Sequence, residues 1–103
     1  MSDFIKVAET GDIPPGRAKV VLVGDRRIAL CNVDGQFFAI DDLCTHDGGP
    51  LGQGELQADV IECPRHGARF NVRTGKVLAL PAVKALNTYP VQVEGSEIRV
   101  ALS

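Results

Sequence analysis

Two short segments of this 103-residue chain hold both of its histidines and two of its three cysteines. The first segment contains Cys44 and His46, and the second contains Cys63 and His66. Thiolates and neutral imidazoles are common ligands of zinc and iron in proteins. Each segment pairs one cysteine with one histidine, a duplication that is hard to obtain by chance. The four residues together therefore predict a metal site.

The residues around these four favour loops that curl around a bound group. Gly48, Gly49 and Gly67 allow backbone conformations in which N–H groups point inward. Pro50 and Pro64 stiffen the same two segments. We therefore expect two rigid ligand loops.

The spacing alone leaves the kind of metal open. Two cysteines and two histidines can form a tetrahedral zinc site, but such sites more often take like ligands from one segment. Here each segment contains one cysteine and one histidine. The four residues could therefore bind two adjacent metal ions, with both thiolates on one ion and both imidazoles on the other. A hydrolase with Cys44 or Cys63 as nucleophile is a weaker alternative, because it leaves two of the four residues without a role.

The pattern Cys44-x-His46, sixteen residues, then Cys63-x-x-His66-Gly67 resembles the ligand pattern of Rieske iron–sulfur proteins. The segment 75–82 also resembles the proline-bearing loop that covers the cluster in that family. The resemblance extends over essentially the whole chain. It is closest to the small soluble ferredoxins of bacterial aromatic-ring dioxygenase systems.

The resemblance implies one Rieske-type 2Fe–2S cluster per chain. Cys44 and Cys63 would hold the inner iron, and His46 and His66 the outer, solvent-facing iron. It also implies an all-β fold of stacked antiparallel sheets, with a small cluster-binding subdomain built from the two ligand loops. We expect a single domain over residues 1–103, with its cluster-binding portion at about 41–82.

The function implied is that of a cytoplasmic, monomeric one-electron carrier in aromatic hydrocarbon catabolism, rather than that of an enzyme. Its partners would be a flavin-containing, NAD(P)H-dependent ferredoxin reductase and a terminal ring-hydroxylating oxygenase. Two alternatives stay open: the small subunit of a nitrite-reductase-type enzyme, which has a similar fold, and a structural zinc-binding module.

The resemblance also predicts a low reduction potential. High-potential members carry an additional cysteine in each loop, joined as a disulfide, and the matching positions here are Gly49 and Arg65. They also carry Ser and Tyr hydroxyls that donate to the cluster sulfurs, where this chain has Ala68 and Phe70. Because negative charge on the sulfurs is then less compensated, we expect a potential of roughly −150 mV.

Composition is consistent with this class of protein. The length suits one small domain, and a net charge of −2 argues against a nucleic-acid binder. No apolar run approaches the roughly 18 residues that a membrane span needs. The charge is uneven, with 5 basic and 11 acidic residues before position 63, and 6 basic and 2 acidic residues from there on.

Short β-patterned runs predict nine or ten strands, and no clean helical period occurs. The runs cover residues 5–8, 19–23, 28–33, 36–40, 60–62, 68–71, 77–78, 86–93 and 97–101. Asp34-Gly35 predicts a tight hairpin, and residues 13–16 at most one turn.

Cys31 lies within an apolar run, which predicts a core side chain. Leu51 and Pro81 are expected to give a docking surface its apolar centre, with Arg65 and Arg69 as its charges.

Overall fold

The computed structural model describes residues 4–43, 51–52, 54–64, 67–80 and 84–102, and within them it contains eleven strands and one short 3-10 helix. The strands are β1 (Ile5–Glu9), β2 (Ala18–Val23), β3 (Arg26–Val33), β4 (Gln36–Asp41), β5 (Glu55–Gln57), β6 (Val60–Glu62), β7 (Arg69–Asn71), β8 (Val77–Ala79), β9 (Thr88–Tyr89), β10 (Val91–Glu94) and β11 (Glu97–Val100). The 3-10 helix is Thr10–Asp12. Over the described ranges, no helix is long and apolar enough to cross a membrane.

The strands form three antiparallel sheets, which confirms the predicted all-β class. The terminal sheet has the order β1-β11-β10, and the middle sheet has the order β2-β3-β4-β9. The third, which we call the inserted sheet, has the order β5-β6-β7-β8 and lies in sequence between β4 and β9. It therefore brackets the second candidate loop, which connects β6 to β7.

The middle sheet separates two hydrophobic cores, because successive side chains of a strand point to opposite faces. On β3, Ala29, Cys31 and Val33 belong to the core shared with the inserted sheet. Ile28 and Leu30 belong to the core shared with the terminal sheet. This alternation confirms that Cys31 is a core side chain, and it places the thiol on the side of the inserted sheet.

The hairpin between β3 and β4 turns at Asp34 and Gly35, as the sequence predicts. Both residues have positive φ, 52° and 91°, which is the backbone of a primed hairpin turn. The Asn32 side chain supports the turn, because its Oδ1 accepts a hydrogen bond from Gly35 N at 2.7 Å and its Nδ2 donates to Ile13 O at 2.7 Å. Asn32 is thus a buried polar residue with both of its functional groups bonded.

Three local features differ from the sequence-based expectation. Strand β5 was not predicted, because Glu55–Gln57 has a single apolar residue. The run 86–93 is divided by Pro90, which has no N–H for the sheet, so that β9 and β10 join different sheets. The 3-10 helix Thr10–Asp12 was not predicted. The turn expected at residues 13–16 follows it and is closed by a hydrogen bond from Arg17 N to Pro14 O.

Candidate metal centre

Cys63 follows the last residue of β6 and is buried, with 1% of its surface exposed. Its thiol takes part in no disulfide. Cys63 N donates to Ala68 O at 2.7 Å, and Gly67 N donates to Cys63 O at 3.1 Å. Gly67 has a φ of 77°, a left-handed conformation that costs glycine little. These bonds close a six-residue loop that holds the thiol in place.

The first candidate segment, 44–50, lies outside the described residues, but both of its ends are described. Asp42 precedes it and is buried, and Leu51 and Gly52 follow it. Asp42 Oδ1 accepts hydrogen bonds from Leu51 N at 2.8 Å and from Gly52 N at 2.6 Å. A side-chain carboxylate thus joins the two ends of this segment, whereas the loop after β6 is closed by backbone groups.

The surroundings of Cys63 are apolar. Leu51, Ala68, Phe70 and Cys31 are fully buried members of the same core. Ala68 and Phe70 therefore share a core with Cys63, and neither carries a hydroxyl group. A buried thiol in an apolar setting fits a soft metal centre such as an iron–sulfur cluster.

The third candidate segment begins at Gly75 and is anchored there. Gly75 N donates to Asn71 O at 2.7 Å, and Leu86 N donates to Gly75 O at 2.8 Å. Gly75 has a φ of 78°, and a Cβ at this position would lie 2.2 Å from Leu86 O. Glycine is therefore required where the segment crosses the chain that returns to β9.

The structure describes one of the four predicted ligands, Cys63. Cys44, His46 and His66 lie outside the described residues, as do Gly49, Arg65 and Pro81.

One prediction about the docking surface is wrong. Leu51 is fully buried against the core that contains Cys63, so it cannot form the apolar centre of a surface. Among the described residues, the exposed apolar side chains that come just before segments 44–50 and 81–83 in the sequence are Leu43, Leu78 and Leu80, of which Leu80 is 76% exposed. Arg69, expected to be a docking charge, is exposed but forms an ion pair with Glu62, with Nε and Oε1 3.0 Å apart.

Sequence reasoning missed Asp42. Its position beside Asp41 at the end of β4 suggests a solvated turn. The one signal in the sequence was that Asp42 closely follows two apolar residues, Ala39 and Ile40, near the end of a strand. The structure shows that both are buried.

Comparison with known proteins also points to an iron–sulfur protein. Residues 3–90 match the family model described as the Rieske [2Fe-2S] domain. The ferredoxin component of biphenyl 2,3-dioxygenase from Rhodococcus jostii (strain RHA1) is 44% identical over 97 residues, which cover 94% of this chain and 91% of the relative. The biphenyl dioxygenase ferredoxin subunit of Pseudomonas sp. (strain KKS102) is 42% identical over 101 residues, covering 97% and 93%.

Solved structures with a similar fold include a dioxygenase ferredoxin. A chain from the complex of reduced oxygenase and oxidized ferredoxin in carbazole 1,9a-dioxygenase has a TM-score of 0.89 at 40% identity, covering 95% of this chain and 92% of that chain. A putative NADH-dependent nitrite reductase small subunit from Mycobacterium tuberculosis has a TM-score of 0.89 at 22% identity, covering 100% and 97%. The second likeness shows the shared fold alone.

The chain belongs to the Rieske [2Fe-2S] domain family. Its cofactor is a Rieske-type 2Fe–2S cluster, and its role is that of an electron-transfer ferredoxin rather than of a catalyst. The comparisons favour this identification over the zinc module and the nitrite-reductase subunit.

Proposed function

We propose that Cys44, His46, Cys63 and His66 hold the cluster, the two thiolates on the inner iron and the two imidazoles on the outer iron. The burial of Cys63 supports its place on the inner side. The chain contains only two histidines, and a Rieske centre needs both. Cys31 lies within β3 among apolar neighbours, so it is a structural residue rather than a ligand.

The mixed ligand set determines the charge of the site. Two thiolates with two neutral imidazoles carry two fewer negative charges than four thiolates, so they oppose reduction less. When bound, the cluster accepts and releases one electron at a time. The residues packed around Cys63, including Leu51 and Phe70, exclude water from the inner side.

The potential of this protein lies near the low end of the Rieske range, roughly −150 mV. Ala68 and Phe70 are fully buried in the core that contains Cys63, and neither can donate a hydrogen bond to sulfur. Gly49 and Arg65 stand where a disulfide-bearing relative has cysteines, so that bridge cannot form. Added negative charge at the site is therefore stabilised less than in high-potential members.

The partners of this protein are a flavin-containing ferredoxin reductase, which receives electrons from NAD(P)H, and a terminal ring-hydroxylating oxygenase. It acts as a monomer in the cytoplasm. Its relatives are named as ferredoxin components of biphenyl dioxygenases, and one structural neighbour comes from a complex with an oxygenase.

The contact surface for these partners includes Leu43, Leu78 and Leu80. Leu43 immediately precedes Cys44, and Leu78 and Leu80 precede the segment 81–83. All three are exposed apolar side chains. Brief electron-transfer contacts are small, and a few apolar side chains are sufficient for such a contact.

The observation that carries the proposal is the match to a dioxygenase ferredoxin component over 94% of this chain and 91% of that relative. Reconstitution tests it: the protein is mixed with NADH, a flavin reductase and an oxygenase of a biphenyl system, and product is measured. We expect product only when all components are present, and none when Cys63→Ser replaces the native protein.

A matched pair of variants tests the contact surface in the same assay. Leu80→Lys should slow electron delivery about tenfold without changing the potential. Leu22→Lys, at an exposed position on β2, should leave delivery unchanged. Failure of the native protein to transfer electrons, or equal slowing by the two lysines, would contradict the proposal.

A further inference from the structure

The carboxylate of Asp42 joins the two ends of the segment that carries Cys44 and His46. Its Oδ1 accepts two hydrogen bonds, from Leu51 N at 2.8 Å and from Gly52 N at 2.6 Å. The side chain of Asp42 has no exposed surface. A buried carboxylate that accepts two backbone N–H bonds is a strong and specific constraint on the chain that supplies them.

Arg27 fixes the other oxygen of the same carboxylate. Asp42 Oδ2 lies 3.1 Å from both Nε and Nη2 of Arg27, and Asp42 N donates to Arg27 O at 3.1 Å. Arg27 belongs to β3 of the middle sheet. The two oxygens of Asp42 therefore have different tasks, one bonding the end of the segment and the other bonding the sheet.

Gly52 shows how closely the chain approaches this carboxylate. A Cβ at position 52 would lie 2.4 Å from Val20 Cγ2 and 3.1 Å from Asp42 Oδ1, so no larger residue fits without displacement. The adjacent Leu51 is fully buried in the core that contains Cys63. Through its bonds to Leu51 and Gly52, Asp42 thereby fixes the chain that follows the first segment to the core that contains Cys63.

We propose that Asp42 is a positioning residue for the cluster, because it holds Leu51 and Gly52 against the core that contains Cys63. Leu51 and Gly52 are the first described residues after Cys44 and His46 in the sequence, so the inference rests on the proposed ligation by those two residues. Fixing Leu51 and Gly52 before the cluster binds lowers the conformational entropy that binding would otherwise cost. The loop of Cys63 needs no such side chain, because its own backbone bonds close it.

The test compares two buried substitutions that each replace one side-chain atom. Asn at position 42 cannot satisfy both neighbours, because its NH₂ group must face either Arg27 or the two backbone N–H groups. The control is Asn32→Asp, which removes the donor to Ile13 O far from the ligand segments in sequence. Both variants are prepared with the cluster bound and kept well below their unfolding temperatures.

We expect Asp42→Asn to release iron to a chelator about tenfold faster than the native protein, which corresponds to about 1.4 kcal/mol. Its reduced electron paramagnetic resonance (EPR) signal should broaden. Asn32→Asp should lower the unfolding temperature but change iron release less than twofold and leave the signal unaltered. If Asp42→Asn does not fold, Arg27→Gln replaces it, with release about threefold faster.

Equal iron release and identical signals for Asp42→Asn and Asn32→Asp would overturn the inference. Iron release and an EPR signal like those of the native protein in both Asp42→Asn and Arg27→Gln would also overturn it. Failure of the underlying ligand assignment would look different, because His66→Ala and Cys63→Ser would then keep a complete cluster. The two results are distinguished by the same spectrum.

Discussion

The guanidinium carbon of Arg73 lies over the ring of Phe38, 4.8 Å from its centroid. Arg73 follows β7 of the inserted sheet, and Phe38 belongs to β4 of the middle sheet. Arg73 Nη1 also donates to Gln36 Oε1 at 3.2 Å, and its Nε lies 3.4 Å from Asp59 Oδ2. The Arg73 side chain therefore joins the inserted sheet, through Asp59 between β5 and β6, to strand β4 of the middle sheet.

Replacing Arg73 with alanine should loosen this junction. Loss of the cation–π contact and of a half-exposed ion pair should cost about 1 kcal/mol, or about 4–8 °C in unfolding temperature. Hydrogen exchange at the amides of β7 and β8 should accelerate. Arg99→Ala is the control, since its two ion pairs join residues of the β10–β11 hairpin. Equal exchange at β7 and β8 in the two variants would contradict the assigned role.

Gly75→Ala should be strongly destabilising, because the new Cβ would lie 2.2 Å from Leu86 O in a left-handed backbone. We expect a loss of about 2–4 kcal/mol in the free energy of unfolding, measured by urea denaturation. Gly95→Ala is a matched control, since φ there is 60° but nothing lies within 4 Å of the added Cβ. Gly95→Ala should lower the free energy of unfolding by about 1 kcal/mol, the cost of a left-handed backbone without a steric clash. A smaller effect at position 75 than at position 95 would refute this account.

Stability should fall with rising pH through the titration of Cys31. Burial raises the pKa of this thiol from 9.0 to about 12. Between these values the folded state keeps a proton that the unfolded state has lost, so the contribution is complete below pH 9 and decreases as pH rises toward 12. The loss is at most about 1.4 kcal/mol per pH unit. Unfolding temperatures measured from pH 8 to 11 should decline less steeply in Cys31→Ala, and identical slopes would contradict the burial effect.

Hydroxyl groups introduced at positions 68 and 70 should raise the reduction potential. Ala68→Ser and Phe70→Tyr each offer a donor to a cluster sulfur, and a bond that favours the reduced state tenfold shifts a one-electron potential by about 59 mV. Val72→Thr is the control, because it adds a hydroxyl to a buried residue of the same core one residue beyond β7. Voltammetry should show an upward shift for the first two variants only. An equal shift for Val72→Thr would indicate a general polarity effect.

Much of the fold could be predicted because strand alternation and turn chemistry are local. The Asp34-Gly35 hairpin and the burial of Cys31 follow directly from neighbouring residues. Strand β5 was missed because its pairing with β6, which puts Leu56 opposite Ile61, is what makes it a strand. Such pairing is not visible in three residues taken alone.

The candidate site was predictable in its ligand types but not in its supports. Leu51 was expected at the apolar centre of a docking surface, yet tertiary packing buries it in the core that contains Cys63. Asp42 was missed because its partners are the backbone N–H groups of Leu51 and Gly52 and the distant side chain of Arg27, and the apolar residues just before Asp42 do not indicate such bonds. Both depend on contacts across the loop rather than on neighbouring residues.

The most direct test of the central claim is pulsed EPR on the reduced protein with ¹⁵N-labelled histidine. If the four residues hold the cluster as proposed, its unpaired electron is coupled to two histidine nitrogens. One coupling should disappear in each of His46→Ala and His66→Ala if the cluster survives, and the whole signal should be lost in Cys63→Ser. A paramagnetic cluster without histidine coupling, or a colourless protein that binds zinc, would contradict it.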